Sequence, residues 1–236
     1  MRIADCNWAD IEAYLTRDDR CVLPFGSTEQ HAQLSLCVDA ILAERVAVEA
    51  AEPLGVPVFP VMPFGLAPYF AAFPGSVSLR AETLLAVARD LVASVARAGF
   101  RRILIVNGHG GNAPLGALAQ ELMAEDPRLA IRFHNWWNAP RTWAAAMAVD
   151  PSGSHGNWME NFPWTRLAHA PAPGGSKPAV DMALLRVSPP AAVRAALGDG
   201  SYGGPWQKPD EDMLRIWAEG VAETRAALEG PWPGRG

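Results

Sequence analysis

The feature that most constrains the fold is an apolar run, Arg101–Val106, that leads directly into the glycine-rich segment Asn107–Asn112. An unbroken β-branched run is typical of a strand covered on both faces, as in a parallel sheet. A helix from about Pro114 to Glu125 and a further strand over Leu129–His134 are predicted to follow. This succession indicates a parallel sheet flanked by helices, with ligands at the carboxyl ends of its strands.

The same alternation is present earlier in the chain. Arg20–Gly26 is predicted to be a short buried strand ending in a turn, and Asp39–Glu52 a helix. Val56–Val61 is predicted to be a strand, and its prolines favour an edge position. Glu82–Ala98 has one apolar helical face and ends at Gly99.

The last third of the chain contains more loop. Pro151–Pro178 predicts an ordered loop with a short helix, and Gly198–Pro209 a second loop. A final amphipathic helix is predicted over about Asp210–Leu228. Because no repeat or linker divides the sequence, we predict one α/β domain over residues 1–236, with a mostly parallel sheet flanked by helices on both faces.

Composition argues against several classes of protein. Hydrophobic residues make up 50% and charged residues 19% of the chain, which is typical of a globular protein. The net charge of −5 offers no electrostatic footprint for nucleic acid. No apolar run reaches the roughly 18 residues of a membrane helix, and the N-terminus has no signal-peptide pattern. Three widely spaced cysteines fit reduced thiols, so we expect a cytoplasmic protein that binds neither nucleic acid nor membrane.

Three polar clusters lie where this architecture places sites. They are Gly26–His31, with Asp39 shortly after it, Asn107–Asn112, and Ser154–Glu160. Together they hold three of the five histidines and three carboxylates. Imidazole and carboxylate ligands favour Zn, Mn or Fe, and an aspartate bridging ligands from separate loops would permit two ions.

The residues of these clusters differ in how strongly the sequence supports them as metal ligands. His109 lies between glycines at a strand end, where core packing does not explain a histidine and a ligand role is favoured. Glu29 and His31 form an E-x-H pair whose side chains share one side of an extended segment. Taken alone, Asp39 is typical of a helix N-cap and Glu160 of an exposed loop carboxylate.

The glycine-rich loop permits a different hypothesis, a nucleotide-binding oxidoreductase. Gly108, Gly110 and Ala113 match the G-x-G-x-x-G/A pattern between a strand and a helix. That fold needs an acidic residue roughly 20 positions later. The next strand ends in Phe133–Trp136, which contains no carboxylate. The sequence also contains neither a Walker G-K-[ST] loop nor a G-x-S-x-G serine elbow.

Considered together, the motifs resemble those of the creatininase (creatinine amidohydrolase) family. The matching stretches occur in the family's order and cover about residues 20 to 165. They are Leu23–His31, Val38–Asp39, Phe73–Leu79, Gly99–Asn112 and His155–Glu160.

The resemblance implies an α/β fold with helices on both faces, assembled as a homo-oligomer and often as a hexamer. It also implies a metal-dependent hydrolase acting on a non-peptide or cyclic amide C–N bond. Carried over by position, Glu29 and His109 would hold one ion and His31 the other, with Asp39 bridging them. One or two divalent ions, Zn, Mn or Fe, are therefore expected.

Several departures from the family pattern bear on the substrate. Creatinine-hydrolysing members have a glutamate where this chain has Gly111, and Glu160 is the expected replacement ligand. The second histidine of the family's E-x-H-G-P-H is missing after His31, and Trp158 replaces the first glutamate of H-A-G-E-x-E. The usual histidine is also missing near Tyr69. We therefore expect a retained metal shell, a pocket rebuilt around aromatic residues, and a substrate other than creatinine.

The expected mechanism is hydrolysis by a metal-bound hydroxide, since an ion lowers the pKa of its water from 15.7 to about 7. His155 matches the family's catalytic histidine, which implies proton transfer to the leaving nitrogen; the alternative is that it only orients substrate. Glu160 is also predicted to be catalytic. The predicted substrate contacts, which would suit a flat, partly apolar amide, are Tyr69, Ser76, Trp136 and Trp158.

Nine tryptophans stand against three tyrosines, and their bulk favours core packing or a subunit interface over a ligand pocket. Two functional alternatives keep the same metal shell. A formamide hydrolase or small-peptide hydrolase would differ in its products, since a deformylase releases formate. A non-catalytic binding protein would hold an ion without turnover.

Overall fold

Three parallel strands form the centre of the molecule in a computed structural model that describes residues 1–233. The strands are β1 (Arg20–Phe25), β2 (Arg102–Asn107) and β3 (Ala130–Asn135), paired in that order. A short antiparallel pair, β4 (Ser176–Lys177) and β5 (Gly204–Pro205), lies apart from this sheet.

Helices cover the sheet. Within residues 1–233 they are α1 (Trp8–Leu15), α2 (Val38–Ala51), α3 (Ala81–Ala98), α4 (Pro114–Glu125), α5 (Pro140–Val149), α6 (Met182–Leu185), α7 (Pro190–Leu197) and α8 (Asp210–Glu229). Among the described residues, no helix is both long and apolar enough to cross a membrane.

Side chains of the central strand β2 alternate between two apolar cores. Leu104 and Val106 pack with α2 and α8 on one face, whereas Ile103 and Ile105 pack with α3 and α4 on the other. All four are at most 1% exposed, and burying each contributes about 1.5–3 kcal/mol. The predicted α/β class, with a parallel sheet between two helical layers, is thereby confirmed.

The predicted strand at Val56–Val61 does not form as a regular element. The segment runs parallel to β1 and pairs at isolated bridges, Val22 with Val58 and Phe25 with the adjoining Met62, while Arg2 bridges Val58 from the opposite side. Pro57 and Pro60 have no N–H to donate, so a continuous ladder cannot form. The segment lies near the edge of the sheet, with only the N-terminal residues around Arg2 beyond it, and the predicted regular strand is wrong.

Four helices have no counterpart in the sequence prediction: α1, α5, α6 and α7. Asn7 caps α1 by accepting from the backbone N–H groups of Ala9 and Asp10, a capping box that the sequence contains. Pro140 and Pro190 occupy the first positions of α5 and α7, where proline is well tolerated. These start signals were available in the sequence.

The partly buried histidine of β3, His134, makes stability depend on pH. His134 Nε2 pairs with the Thr224 hydroxyl at 3.0 Å, and burial lowers the pKa of His134 to about 4 despite the charge of Glu223. The unfolded chain, with an ordinary histidine pKa, binds more protons below pH 6.5, so stability falls as the pH falls.

We expect His134→Gln to remove this contribution. Between pH 8 and pH 5, the free energy of unfolding of the wild type should fall by about 2 kcal/mol more than that of the variant. Urea unfolding at both pH values measures this difference. His169→Gln is the matched control, because His169 is exposed. Equal pH dependence in wild type and His134→Gln would contradict the prediction.

Candidate metal centre and active site

The predicted ligands come together at the carboxyl ends of β1 and β2. Glu29 and His31 follow β1, His109 follows β2, and Asp39 lies in the first turn of α2. All four side chains are buried, with at most 7% of each residue exposed. Glu160 reaches the same place from a short 3₁₀ turn, Trp158–Glu160, in the loop after α5.

Asp39 lies between two histidines. Its Oδ1 is 3.1 Å from His31 Nε2, and its Oδ2 is 2.9 Å from His109 Nδ1. The Ser27 hydroxyl donates to Oδ2 at 2.8 Å. The N-cap role predicted for Asp39 alone is wrong, because Cys37 is the N-cap and Asp39 is the second helical residue. Its carboxylate is therefore turned into the cluster instead of capping the helix.

Backbone carbonyls hold both histidine rings. His31 Nδ1 lies 3.0 Å from the Glu29 carbonyl oxygen, and His109 Nε2 lies 2.8 Å from the Leu66 carbonyl oxygen. Because a carbonyl only accepts, each ring carries its proton on that side. In the neutral, metal-binding form of each ring, the opposite nitrogen directs its lone pair towards the space beside Asp39, as metal-ligating imidazoles do.

Two groups of potential ligands share Asp39. One contains Glu29, Asp39 and His109, the other contains His31, Asp39 and Glu160, and the ligand atoms of each group lie within 4.8 Å of one another. Glu29 Oε1 is 3.4 Å from His109 Nδ1, and Glu160 Oε1 is 3.8 Å from His31 Nε2. Glu29 Oε2 is buried without a hydrogen-bond partner, so it is free to bind an ion.

Electrostatics favour positive charge in this cluster. Burial raises the pKa of Glu29 and raises that of Glu160 to about 7. Burial alone would lower the pKa of His31, but Asp39 and Glu160 raise it to about 10. Asp39 and Glu29 likewise outweigh burial and raise the pKa of His109. Two buried carboxylates, the partly buried Glu160 and two imidazoles therefore fit divalent cations of the zinc, manganese or iron type.

Gln30 determines which nitrogen of His155 carries the proton. Gln30 Oε1 accepts from the Ala32 backbone N–H at 3.1 Å, so its Nε2 group lies 2.8 Å from His155 Nε2. An amide nitrogen only donates, so His155 accepts there and is protonated at Nδ1. This Nδ1 lies 3.8 Å from Glu29 Oε1 and 4.0 Å from Glu160 Oε1.

The His155 ring is enclosed by other rings. It stacks on Phe70 with centroids 4.7 Å apart and lies 5.0 Å from Tyr202 and 4.5 Å from His31. Burial and the neighbouring His31 hold the pKa of His155 well below its usual value. His155 is therefore a neutral hydrogen-bond donor directed at the carboxylate cluster.

The glycine-rich loop is covered on both sides by protein. A Cβ at Gly108 would lie 2.3 Å from the Asp39 carbonyl oxygen, and one at Gly111 would lie 2.0 Å from the Leu66 carbonyl oxygen. Asn107 donates to the His109 carbonyl oxygen at 2.7 Å, which closes the loop further. Since a dinucleotide needs open backbone here, the oxidoreductase hypothesis gains no support.

A cavity of about 710 Å³ opens beside the cluster. Of the predicted substrate contacts, Tyr69 and Trp136 line it. Ser76 and Trp158 do not: the Ser76 hydroxyl accepts from the Gln30 backbone N–H at 3.0 Å, and Trp158 is completely buried in the core. Trp136, Trp137 and Trp143 thus line the cavity, Trp158 and Trp217 are buried in the core, and Trp8 is exposed on the surface.

Several lining residues were not predicted from the sequence. They are Phe70, Trp137, Trp143, Arg186 and Tyr202. Phe70 adjoins the predicted Tyr69 and could have been found with it. Arg186 and Tyr202 lie outside every motif and reach the cavity only through the tertiary fold.

The creatininase family model, described as creatinine amidohydrolase, matches residues 4–227. The chain belongs to the creatininase family. A solved structure of a manganese creatininase superposes on this member with a TM-score of 0.78 and 22% sequence identity, covering 99% of both chains. This similarity establishes the three-layer fold predicted from the sequence.

Curated relatives match over part of their length. This creatininase-family chain is 33% identical to the creatinine amidohydrolase of Pseudomonas putida over 119 residues, 47% of the chain and 45% of the relative. It is 34% identical to the mycofactocin precursor peptide peptidase of Mycolicibacterium smegmatis over 114 residues, 45% of the chain and 46% of the relative. Each match therefore spans less than half of the relative.

Proposed function

We propose that the protein is a metal-dependent hydrolase of a non-peptide or cyclic amide C–N bond, with a substrate other than creatinine. The observation that carries this proposal is Asp39, whose two oxygens face His31 and His109. A single carboxylate shared between two ligand groups is the arrangement that a bridged pair of ions requires.

Glu29, Asp39 and His109 would hold one ion, and His31, Asp39 and Glu160 the other. When bound, the ions lower the pKa of water and polarise the scissile carbonyl. Zinc, manganese and iron all suit these ligands. Manganese is further supported by the solved structure of a manganese creatininase.

We assign His155 the task of orienting the substrate. Its ring is protonated at Nδ1, so it donates a hydrogen bond towards the space beside Glu29 and Glu160. A neutral ring held this way has no free lone pair facing the cluster, so Nδ1 cannot take up a proton while Gln30 keeps its present position. The geometry thus favours orientation over the proton-transfer role implied by the family resemblance.

Glu160 is the better group to hold a proton. Its Oε2 accepts from the Gly156 backbone N–H at 2.6 Å, which leaves Oε1 facing His31 and His155. Burial raises the pKa of Glu160 to about 7, the range that suits an acid or base near neutral pH. In a protein with one ion, Glu160 serves this role; with two ions, it is a ligand of the second.

Two observations support a substrate other than creatinine. A glutamate cannot replace Gly111 in this backbone, because its Cβ would lie 2.0 Å from the Leu66 carbonyl oxygen. Large aromatic residues also enclose the cavity, including Trp137, Trp143 and Tyr202. A flat or apolar group beside the amide would fill this space better than a small polar ring.

Metal analysis of protein purified without chelator tests the proposal. We expect about one to two equivalents of zinc, manganese or iron in the wild type and a loss in His109→Gln. His169→Gln should keep its metal, because His169 is exposed and outside the cluster. A panel of amides, lactams, formamides and dipeptides then identifies the products. A folded wild type that binds none of these metals on reconstitution would overturn the proposal.

A further inference from the structure

One wall of the cavity carries the hydroxyls of Tyr69 and Tyr202. The Tyr69 hydroxyl oxygen is buried and forms no hydrogen bond of standard geometry, although it lies near the Tyr202 hydroxyl. Both rings border the cavity. Because the Tyr69 hydroxyl forms no hydrogen bond of standard geometry, a ligand that accepts a well-aligned hydrogen bond from it would be stabilised.

Arg186, at the end of α6, lines the same wall. Within residues 1–233 its guanidinium has no hydrogen bond or ion pair, whereas Arg89 pairs with two glutamates and Arg166 with Asp210. Met182 and Leu185 of the same helix pack in one apolar cluster with Tyr69 and Tyr202, which places Arg186 on their side of the cavity. An arginine that lines a cavity without an acidic partner is available to bind an anion.

The remaining walls differ in character. The metal cluster supplies buried carboxylates, which repel an anion unless cations are bound. The wall formed by Trp136 and Phe162 belongs to the apolar core under α8, whereas Tyr69 and Tyr202 pack with a separate apolar cluster. Among the described residues that line the cavity, Arg186 is the only arginine or lysine, and it lies on the side of Tyr69 and Tyr202.

The donors lie within a short distance of the reacting centre. His155 is 4.7 Å from Phe70 and 5.0 Å from Tyr202, and Phe70 is 5.0 Å from Tyr69, all between ring centroids. The Tyr202 ring therefore contacts the His155 ring directly, and the Tyr69 ring is connected to it through Phe70. This spacing suits a charged group a few bonds from the scissile amide.

The geometry points to an amide substrate that carries a carboxylate, bound by Arg186 together with the hydroxyls of Tyr69 and Tyr202. The inference rests on the proposed amide hydrolase function and names its substrate class, of which N-acyl amino acids are the simplest members. Hydrolysis of such a substrate adds one water across the C–N bond and releases an acid and an amino acid.

A matched pair of probes tests this assignment. N-benzoylglycine carries the carboxylate, and N-benzoylglycinamide replaces it with a neutral amide of the same shape. Calorimetric titration of the metal-loaded protein should show N-benzoylglycine binding at least about tenfold more tightly. We expect Arg186→Met to abolish this preference and Arg186→Lys to keep part of it. Arg80→Met is the control, because Arg80 is exposed and does not line the cavity.

Equal affinity for the two probes in the wild type would overturn the inference, as would an undiminished preference in Arg186→Met or no binding of either probe at millimolar concentration. Failure of the hydrolase proposal is distinguishable from these outcomes. A protein that prefers N-benzoylglycine but binds no metal and cleaves no amide keeps the carboxylate site and loses the hydrolase function. A protein that cleaves neutral amides in a metal-dependent reaction, but binds the two probes equally well, keeps the hydrolase function and loses the carboxylate site.

Discussion

Asp39→Asn is expected to lose both ions and to lower amide hydrolysis by a factor of about 10³ or more, since replacing even an outer-shell residue costs about 10- to 100-fold. The substitution keeps the shape of the side chain but removes the charge that His31 and His109 share. Without that charge, two closely spaced cations have no bridging anion.

The number of ions lost distinguishes Asp39, which would contact both ions, from ligands that would contact only one. Glu160→Gln should lose the ion of the His31 group and keep the ion of the His109 group. Asp90→Asn, on the exposed surface of α3, is the control that should change neither metal content nor rate. Plasma mass spectrometry and the rate on whichever amide is cleaved give both readouts. Full metal content in Asp39→Asn would show that the carboxylate does not bridge.

Gly111→Ala is expected to lower the free energy of unfolding by about 3 kcal/mol or more, as overpacking against rigid backbone does. A Cβ at Gly111 would lie 2.0 Å from the Leu66 carbonyl oxygen and 2.5 Å from His109 Nε2. These two atoms form the hydrogen bond that orients the His109 ring. The variant should therefore bind metal more weakly as well as unfold more easily.

Gly110→Ala is the matched control, because a Cβ there would have no neighbour within 4 Å. We expect its stability to change by no more than about 1 kcal/mol and its metal content to stay at the wild-type level. Denaturant unfolding of both variants, with metal analysis of the folded protein, completes the comparison. Equal stability of the two variants would show that the Leu66 segment can move away at little cost.

The sequence was most informative where local signals and motifs agree. The helix predicted from Pro114 to Glu125 has those bounds in the structure, and the run at Arg101–Val106 forms the central strand one residue later. The metal cluster could be predicted because its members follow strand ends, and the strand ends of a parallel sheet meet at one edge. Hydrophobic patterning and a few polar residues carry this information.

The residues that form the cavity wall were harder to predict from the sequence. Trp158 lies next to the cluster along the chain, yet it is completely buried in the core. Tyr202 is far from the other site residues in sequence, yet its ring lies 5.0 Å from His155. Which aromatic side chains face a ligand depends on how loops cross the sheet edge, and neither periodicity nor spacing determines such long-range packing.

The main-chain anchoring of the two histidines has a consequence for how this scaffold can change. Each ligand ring is held by a peptide carbonyl, that of Glu29 or Leu66, so no exchangeable side chain sets its tautomer. The walls at Trp143 and Arg186 come from other segments of the chain. Residues that contact the substrate can therefore be replaced, by mutation or by design, while the rings of His31 and His109 keep their orientation. The proposed hydrolytic centre can in this way be combined with cavity walls that suit different amides.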